Sequence, residues 1–93
     1  MELKYTILYH PLVVRDDIPE LDLNIRARIK QSIEQKLTIQ PEIFGVPLRR
    51  SLKGHRKLRV GDYRVVFRIE GIKVLILAIK HRSVIYNIIQ KRI

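Results

Sequence analysis

The chain has 93 residues, with nineteen Lys or Arg against nine Asp or Glu and a formal net charge of +10. That length allows one domain with one modest core, which a hydrophobic fraction of 46% is enough to fold. The lack of cysteine excludes disulfides and thiolate metal sites. The longest apolar run, VLILAI at 74–79, is far below a membrane span, and MELKYTILYH is too early in its charges for a signal peptide, so a cytoplasmic protein with no membrane partner is expected.

In chain order, LKYTILY at 3–9 is β-branched and aromatic enough for a first strand. Pro11 predicts the start of a short helical turn, and the stretch 16–22, with Pro19 inside it, interrupts the pattern. Leu21, Ile25, Ile29, Ile33 and Leu37 then recur every four residues, with Arg26, Arg28, Lys30 and Gln31 mostly off that line. This spacing predicts an amphipathic helix over 20–38 that ends before Pro41, and PEIFGVP at 41–47 reads as a loop.

The second half reads as sheet. Residues 56–60 predict a short strand, and Gly61-Asp62 a hairpin turn. In YRVVFRIE, 63–70, alternation puts Tyr63, Val65, Phe67 and Ile69 on one face and Arg64, Val66 and Arg68 on the other. Gly71 turns the chain into 72–80, whose nearly continuous apolar run suits a strand buried on both faces. Ser83 is placed to cap a final helix over 84–91, with Ile85 and Ile89 on one side. The expected fold is a small α+β domain over 1–93 in the order β-α-α-β-β-β-α. It has an antiparallel-rich sheet, two N-terminal helices on one face and a short C-terminal helix. Helices are expected to cover one sheet face and leave the other partly open and basic.

The charge is unevenly placed. Residues 1–47 carry six cations and seven anions, whereas 48–93 carry thirteen against two, a net of +11. Such asymmetry points to a polyanionic partner, either nucleic acid or an acidic protein. On the predicted frame Lys57 and Arg59 share a strand face, and Arg64 and Arg68 join it across the turn. Lys80, His81 and Arg82 end the next strand, and Tyr86 follows Arg82 by four residues. The result is a group of guanidiniums with one imidazole, one phenol and no carboxylate. Fixed Arg groups can bind a phosphate bidentately and stabilise charge growing on its oxygens. RNA carries its own nucleophile, the 2′-OH, so its cleavage needs alignment, proton transfer and phosphate neutralisation but no metal. His81 is suited to proton transfer near neutral pH. The absence of an Asp/Glu cluster argues against a two-metal nuclease, and no metal or other cofactor is expected. His10 and His55 read as surface residues, and Tyr5, Tyr9 and Tyr63 as structural ones.

The run PLRRSLKGHRKLRVGDYRVVFRI, followed after a short turn by KVLILAIKHRSVIY, resembles the RelE/ParE toxin superfamily. The similarity covers nearly the whole chain. It implies a toxin of a toxin–antitoxin pair. RelE-like members act as metal-independent endoribonucleases that cut mRNA in the ribosomal A site, using the 2′-OH as nucleophile and so inhibiting translation. Carried over, Arg59 and Arg64 bind and neutralise the scissile phosphate, and Arg82 or His81 assists the leaving group. Tyr86 orients or deprotonates the 2′-OH. Lys57 adds phosphate binding, with Arg68 and Lys80 on the same basic surface, while Arg49, Arg50, Lys53 and Arg56 contact ribosomal RNA. The implied partners are an acidic antitoxin, the ribosome and mRNA. Two alternatives share the fold: a ParE-like inhibitor of DNA gyrase, and a degenerate, non-enzymatic toxin acting with its antitoxin.

Overall fold

The computed structural model of the protein describes residues 4–93. Among them five strands form one sheet in the spatial order β1-β5-β4-β3-β2. They are β1 Thr6–Tyr9, β2 Val46–Pro47, β3 Arg56–Val60, β4 Tyr63–Glu70 and β5 Lys73–His81. β1 runs parallel to β5, and the other neighbours are antiparallel. The predicted start of the first strand, at Leu3, lies outside the described residues.

Three helices lie between β1 and β2. α1 is a π-helical turn, Val13–Asp17, running into Ile18–Glu20. α2 is Leu23–Ser32, prolonged by a second π-helical turn, Ile33–Leu37. α3 is the single turn Pro41–Phe44. The first helix therefore continues through Pro19, where the sequence predicted a break from residue 16. Pro19 follows directly on the π-helical turn, whose wider bonding closes with the Ile18 N–H on the Val13 carbonyl, and the helix ends one residue later at Glu20. The break is confined to Leu21, which is extended (φ −78°, ψ 138°), and to Asp22, whose carboxylate caps α2 by accepting from the Ile25 N–H at 3.0 Å. The predicted loop 41–47 holds α3 and the edge strand β2, both too short to show a period. Gly45 joins them because a Cβ there would stand 2.3 Å from the Phe67 ring.

β5 is buried on both faces, as its apolar run predicts. Val74, Ile76 and Ile79 pack with Val13, Leu21, Ile29, Ile33 and Leu37 of the N-terminal helices. Leu75, Leu77 and Ala78 pack on the other side with Ile85 and Ile89 of α4, Ile85–Arg92. Leu77 and Ala78 share a face because the register slips by one residue opposite Val66 and Phe67, a β-bulge. Each fully buried aliphatic side chain contributes about 1.5–3 kcal/mol relative to exposure.

Three expectations change. The second sheet face is not left open, because α4 lies on it together with Leu48 and Leu52, and its exposed basic part narrows to the β3–β4 hairpin. Ser83 makes no cap for α4; its hydroxyl instead meets His81 Nδ1 at 2.8 Å. His55, expected on the surface, is 8% exposed: Nδ1 lies 3.3 Å from the Leu52 carbonyl, and Nε2 is buried with no partner among the described residues.

Candidate functional site

The β3–β4 hairpin is the frame of the site. Gly61 takes φ +59°, a left-handed conformation that costs a glycine nothing, and so permits the two-residue turn. The register pairs Arg59 with Arg64, so the two project from the same sheet face, the face of Val66. Arg64 is half-buried, and its Nη1 donates to the Gly61 and Tyr63 carbonyls, both at 2.9 Å. The guanidinium is thus held against the turn with its other nitrogens available. Arg82 reaches the same tip: its N–H donates to the Asp62 carbonyl at 2.8 Å, and its Nε lies 3.8 Å from the Asp62 carboxylate. Both of those side chains are well exposed, so the pair is weak and easily exchanged for another anion. Arg28 of α2, not singled out from the sequence, packs against the tip as well; its guanidinium lies 3.4 Å from where a Cβ on Gly61 would stand.

Two residues back along β3 from Arg59, Lys57 meets Tyr86. Its Nζ donates to the phenol oxygen at 2.7 Å and lies 5.4 Å from the ring centroid. An ammonium has no acceptor, so the phenol oxygen must accept here and its own hydrogen points elsewhere. The two residues line an open groove of about 350 Å³ with Val46, Pro47, Leu48, Arg49 and Leu52. Lys57 and Arg59 are two residues apart on one face, hence roughly 7 Å between Cα atoms. The hairpin tip and the Lys57–Tyr86 pair therefore form one cationic strip.

The other sequence candidates go elsewhere. His81 pairs in register with Tyr63, on the opposite face from Arg59 and Arg64, and their rings meet edge-on at 5.5 Å. Its Nδ1 accepts from the Ser83 N–H at 3.2 Å, which leaves Nε2 for exchange with a ligand. Lys80 forms ion pairs with Asp17 at 3.2 Å and Glu20 at 3.0 Å, with its side chain 15% exposed. Burial lowers its pKa, but the hydrogen bonds to Glu20 and Asp17 and their negative charge outweigh this and hold it above the usual lysine value. Arg68 pairs with Glu70 at 2.6 Å. Arg56 Nη1 donates to the Glu42 and Gly45 carbonyls at 3.1 and 3.0 Å, tying α3 to β3. Arg49, Arg50 and Lys53 are exposed around the turn Arg50–Leu52, where Arg50 takes φ +58°. The cluster was expected to hold no carboxylate; in the folded chain Asp62, Glu70, Asp17 and Glu20 each meet one of its cations.

Sequence reasoning also missed Asp17, which is fully buried and accepts from the Ile79 N–H at 2.9 Å and from Arg92 Nη1 at 2.8 Å. The available signal was a carboxylate on a four-residue apolar spacing, between Val13 and Leu21.

A basic hairpin lies on this strand order with helices on both faces, and comparison of sequences places the chain. Residues 5–86 match the family described as the ParE toxin of the type II toxin–antitoxin system parDE, and the chain belongs to it. It is a type II toxin of the RelE/ParE superfamily. It is 35% identical over 85 residues to toxin RelG of Mycobacterium tuberculosis, spanning 89% of this chain and 97% of that protein. A chain of the M. tuberculosis RelBE2 toxin–antitoxin complex superposes with a TM-score of 0.78 at 33% identity, over 85% of this chain and 99% of that one. A mutant of Escherichia coli RelE in the free state shares the fold, with a TM-score of 0.73 at 17% identity, over 97% of this chain and 98% of that one. Among the described residues no helix is long and apolar enough to cross a membrane.

Proposed function

We propose that this toxin is a ribosome-dependent mRNA endonuclease that cleaves by attack of the RNA 2′-OH on the adjacent phosphate. The observation that carries the reading is the Lys57–Tyr86 contact at 2.7 Å, set on the same strip as the Arg59–Arg64 pair. Arg59 and Arg64 neutralise the scissile phosphate and the charge that grows on its oxygens. Lys57 holds the Tyr86 phenol so that its hydrogen is directed to bound RNA, where it orients the 2′-OH. Arg82, held only loosely by Asp62, stabilises the leaving 5′-oxygen. His81, on the opposite sheet face against Tyr63, takes no part in this step. The 2′-oxygen bonds to phosphorus as the bond to the 5′-oxygen breaks, water takes the 2′-OH proton and returns one to the 5′-oxygen, and the products are a 2′,3′-cyclic phosphate and a 5′-OH with no metal in the step. Arg49, Arg50 and Lys53 extend the strip toward ribosomal RNA. An acidic antitoxin is the partner that would mask the strip, a reading supported by the RelBE2 complex among the structural neighbours.

The match to a ParE family favours a second reading, an inhibitor of DNA gyrase. One experiment separates the two: incubation of the folded toxin with mRNA on ribosomes whose A site is vacant, with naked mRNA as control, and mapping of the ends by primer extension. Cleavage at the A-site codon only with ribosomes is expected, falling about a hundredfold or more in Arg64→Ala and Tyr86→Phe. Full activity in the double variant would discard this site. No cleavage together with loss of gyrase supercoiling would establish the second reading.

A further inference from the structure

β1 pairs with β5 only as far as Tyr9 opposite Ile76, and the last backbone bond between them runs from the His10 N–H to the Ile76 carbonyl at 2.8 Å. Beyond that point no strand among the described residues lies beside the β5 edge, and its polar groups need other partners. Side chains supply them. Asp17 Oδ2 accepts from the Ile79 N–H at 2.9 Å, and Arg92 Nη1 donates to the Leu77 carbonyl at 3.0 Å. The two side chains also grip each other as a fork, Nη1 to Oδ2 at 2.8 Å and Nη2 to Oδ1 at 3.3 Å. Asp17 is fully buried, and the Arg92 side chain is 8% exposed.

This clamp joins α1 to the last turn of α4 across 75 residues of sequence. α4 has eight residues, too few to be a stable helix alone, so its orientation is set by what it touches. Ile85 and Ile89 anchor it to the sheet, and Arg92 continues the same stripe one turn later. Tyr86 lies six residues before Arg92, about 9 Å along the helix axis and about 120° round it. Rotation of α4 about its two isoleucines would swing the phenol off Lys57.

We infer that Asp17 and Arg92 are positioning residues for the proposed cleavage site: their buried fork fixes the rotation of α4 and so holds the Tyr86 phenol on Lys57. Neither residue is part of the cationic strip. The inference rests on the reading of Tyr86 as a site residue, but the clamp has a readout independent of cleavage.

The test is a double-mutant cycle between Arg92→Met and Tyr86→Phe, with Arg92→Lys as the conservative variant. Arg92→Met leaves Lys80 to neutralise Asp17, at 3.2 Å, so the fold is expected to survive. In protein with labelled tyrosine and lysine, the NMR contact between the Tyr86 ring and the Lys57 ammonium should be lost in Arg92→Met and partly kept in Arg92→Lys. On ribosomes, Arg92→Met should lower kcat roughly ten- to hundredfold with KM little changed. In the Tyr86→Phe background the same change should lower kcat less than about twofold, because a shared effect is not paid twice. An equal loss in both backgrounds, or an intact Tyr86–Lys57 contact in Arg92→Met, would overturn the inference. Loss of the contact in a toxin whose wild type cleaves nothing would sink the nuclease reading and leave the clamp standing.

Discussion

Two groups of cations from the basic half of the chain meet opposite fates. Arg59, Arg64 and Arg82 gather at the hairpin tip, where their anionic company among the described residues is one exposed aspartate, 3.8 Å from Arg82. Lys80 and Arg92 instead converge on the buried Asp17, and Glu20 adds a second carboxylate to Lys80. The first group is displayed; the second is consumed in closing the β5 edge and docking α4. A net charge of +11 in residues 48–93 therefore overstates the surface offered to a polyanion. Which cations are free is decided by where the carboxylates of α1 fall, and α1 belongs to the balanced half of the chain.

The contrast can be broken most sharply by removing the carboxylate that holds the buried group and one cation of the displayed group. Asp17→Ala strands Arg92 and Lys80 and should cost about 3–5 kcal/mol of stability, whereas Arg59→Ala should change it by no more than about 0.5 kcal/mol. Urea denaturation measures both. Similar midpoints would mean that the buried group is not structural.

Salt then sharpens the contrast on the binding side. If about six phosphates are engaged, affinity for ribosomes should fall by about three orders of magnitude between 50 and 200 mM salt, by analogy with counterion release from duplex DNA. Arg59→Ala or Arg82→Ala should each reduce the salt slope by about 0.7–0.9, while Lys80→Met should leave it unchanged. A shallower slope in Lys80→Met would return that lysine to the binding surface.

The smallest effect is alkaline. Lys80 is held above its ordinary value of 10.5, where burial lowers it and the hydrogen bonds and charges of Glu20 and Asp17 raise it more. Burial, and then the charge of Glu34, raises Tyr9 above 10.0. Both groups hold their protons more tightly folded than unfolded. Their contribution is complete below pH 10 and is lost as pH rises through the folded values. Stability followed by chemical denaturation should thus decline above about pH 10, and Lys80→Met should flatten part of that decline. An unchanged profile in Lys80→Met would show that its ion pairs contribute nothing to folding.

Much of this was legible in the residues. Four-residue spacing located α2, and alternation in YRVVFRIE assigned Arg64 and Val65 to opposite faces. The unbroken apolar run of β5 announced burial on both sides. These are short-range periods, and backbone geometry translates them directly into faces. α3 and β2 were not legible, because a four-residue helix and a two-residue strand carry no period. Their place is set by the fit of Gly45 against the Phe67 ring. Pro19 looked like a break and is not one, since it follows directly on the π-helical turn Val13–Asp17 near the end of the helix.

The candidate site divides in the same way. Charge asymmetry and alternation were enough to gather Arg59 and Arg64 on one face with Lys57, because neighbours in a hairpin are neighbours in sequence. His81 shows the limit. One residue of alternation, with the end of β5 beyond the bulge, turns its ring to Tyr63 and away from Arg64. The Lys57–Tyr86 contact spans 29 residues, and the Asp17–Arg92 fork spans 75. Such contacts depend on how far β1 runs along β5 and how α4 lies on the sheet. Composition and period determined that this chain folds as a small α+β domain with a basic hairpin. Only the tertiary structure decided which cations stay free and which phenol they meet, because ion pairing depends on distances of a few ångströms between residues that the sequence keeps far apart.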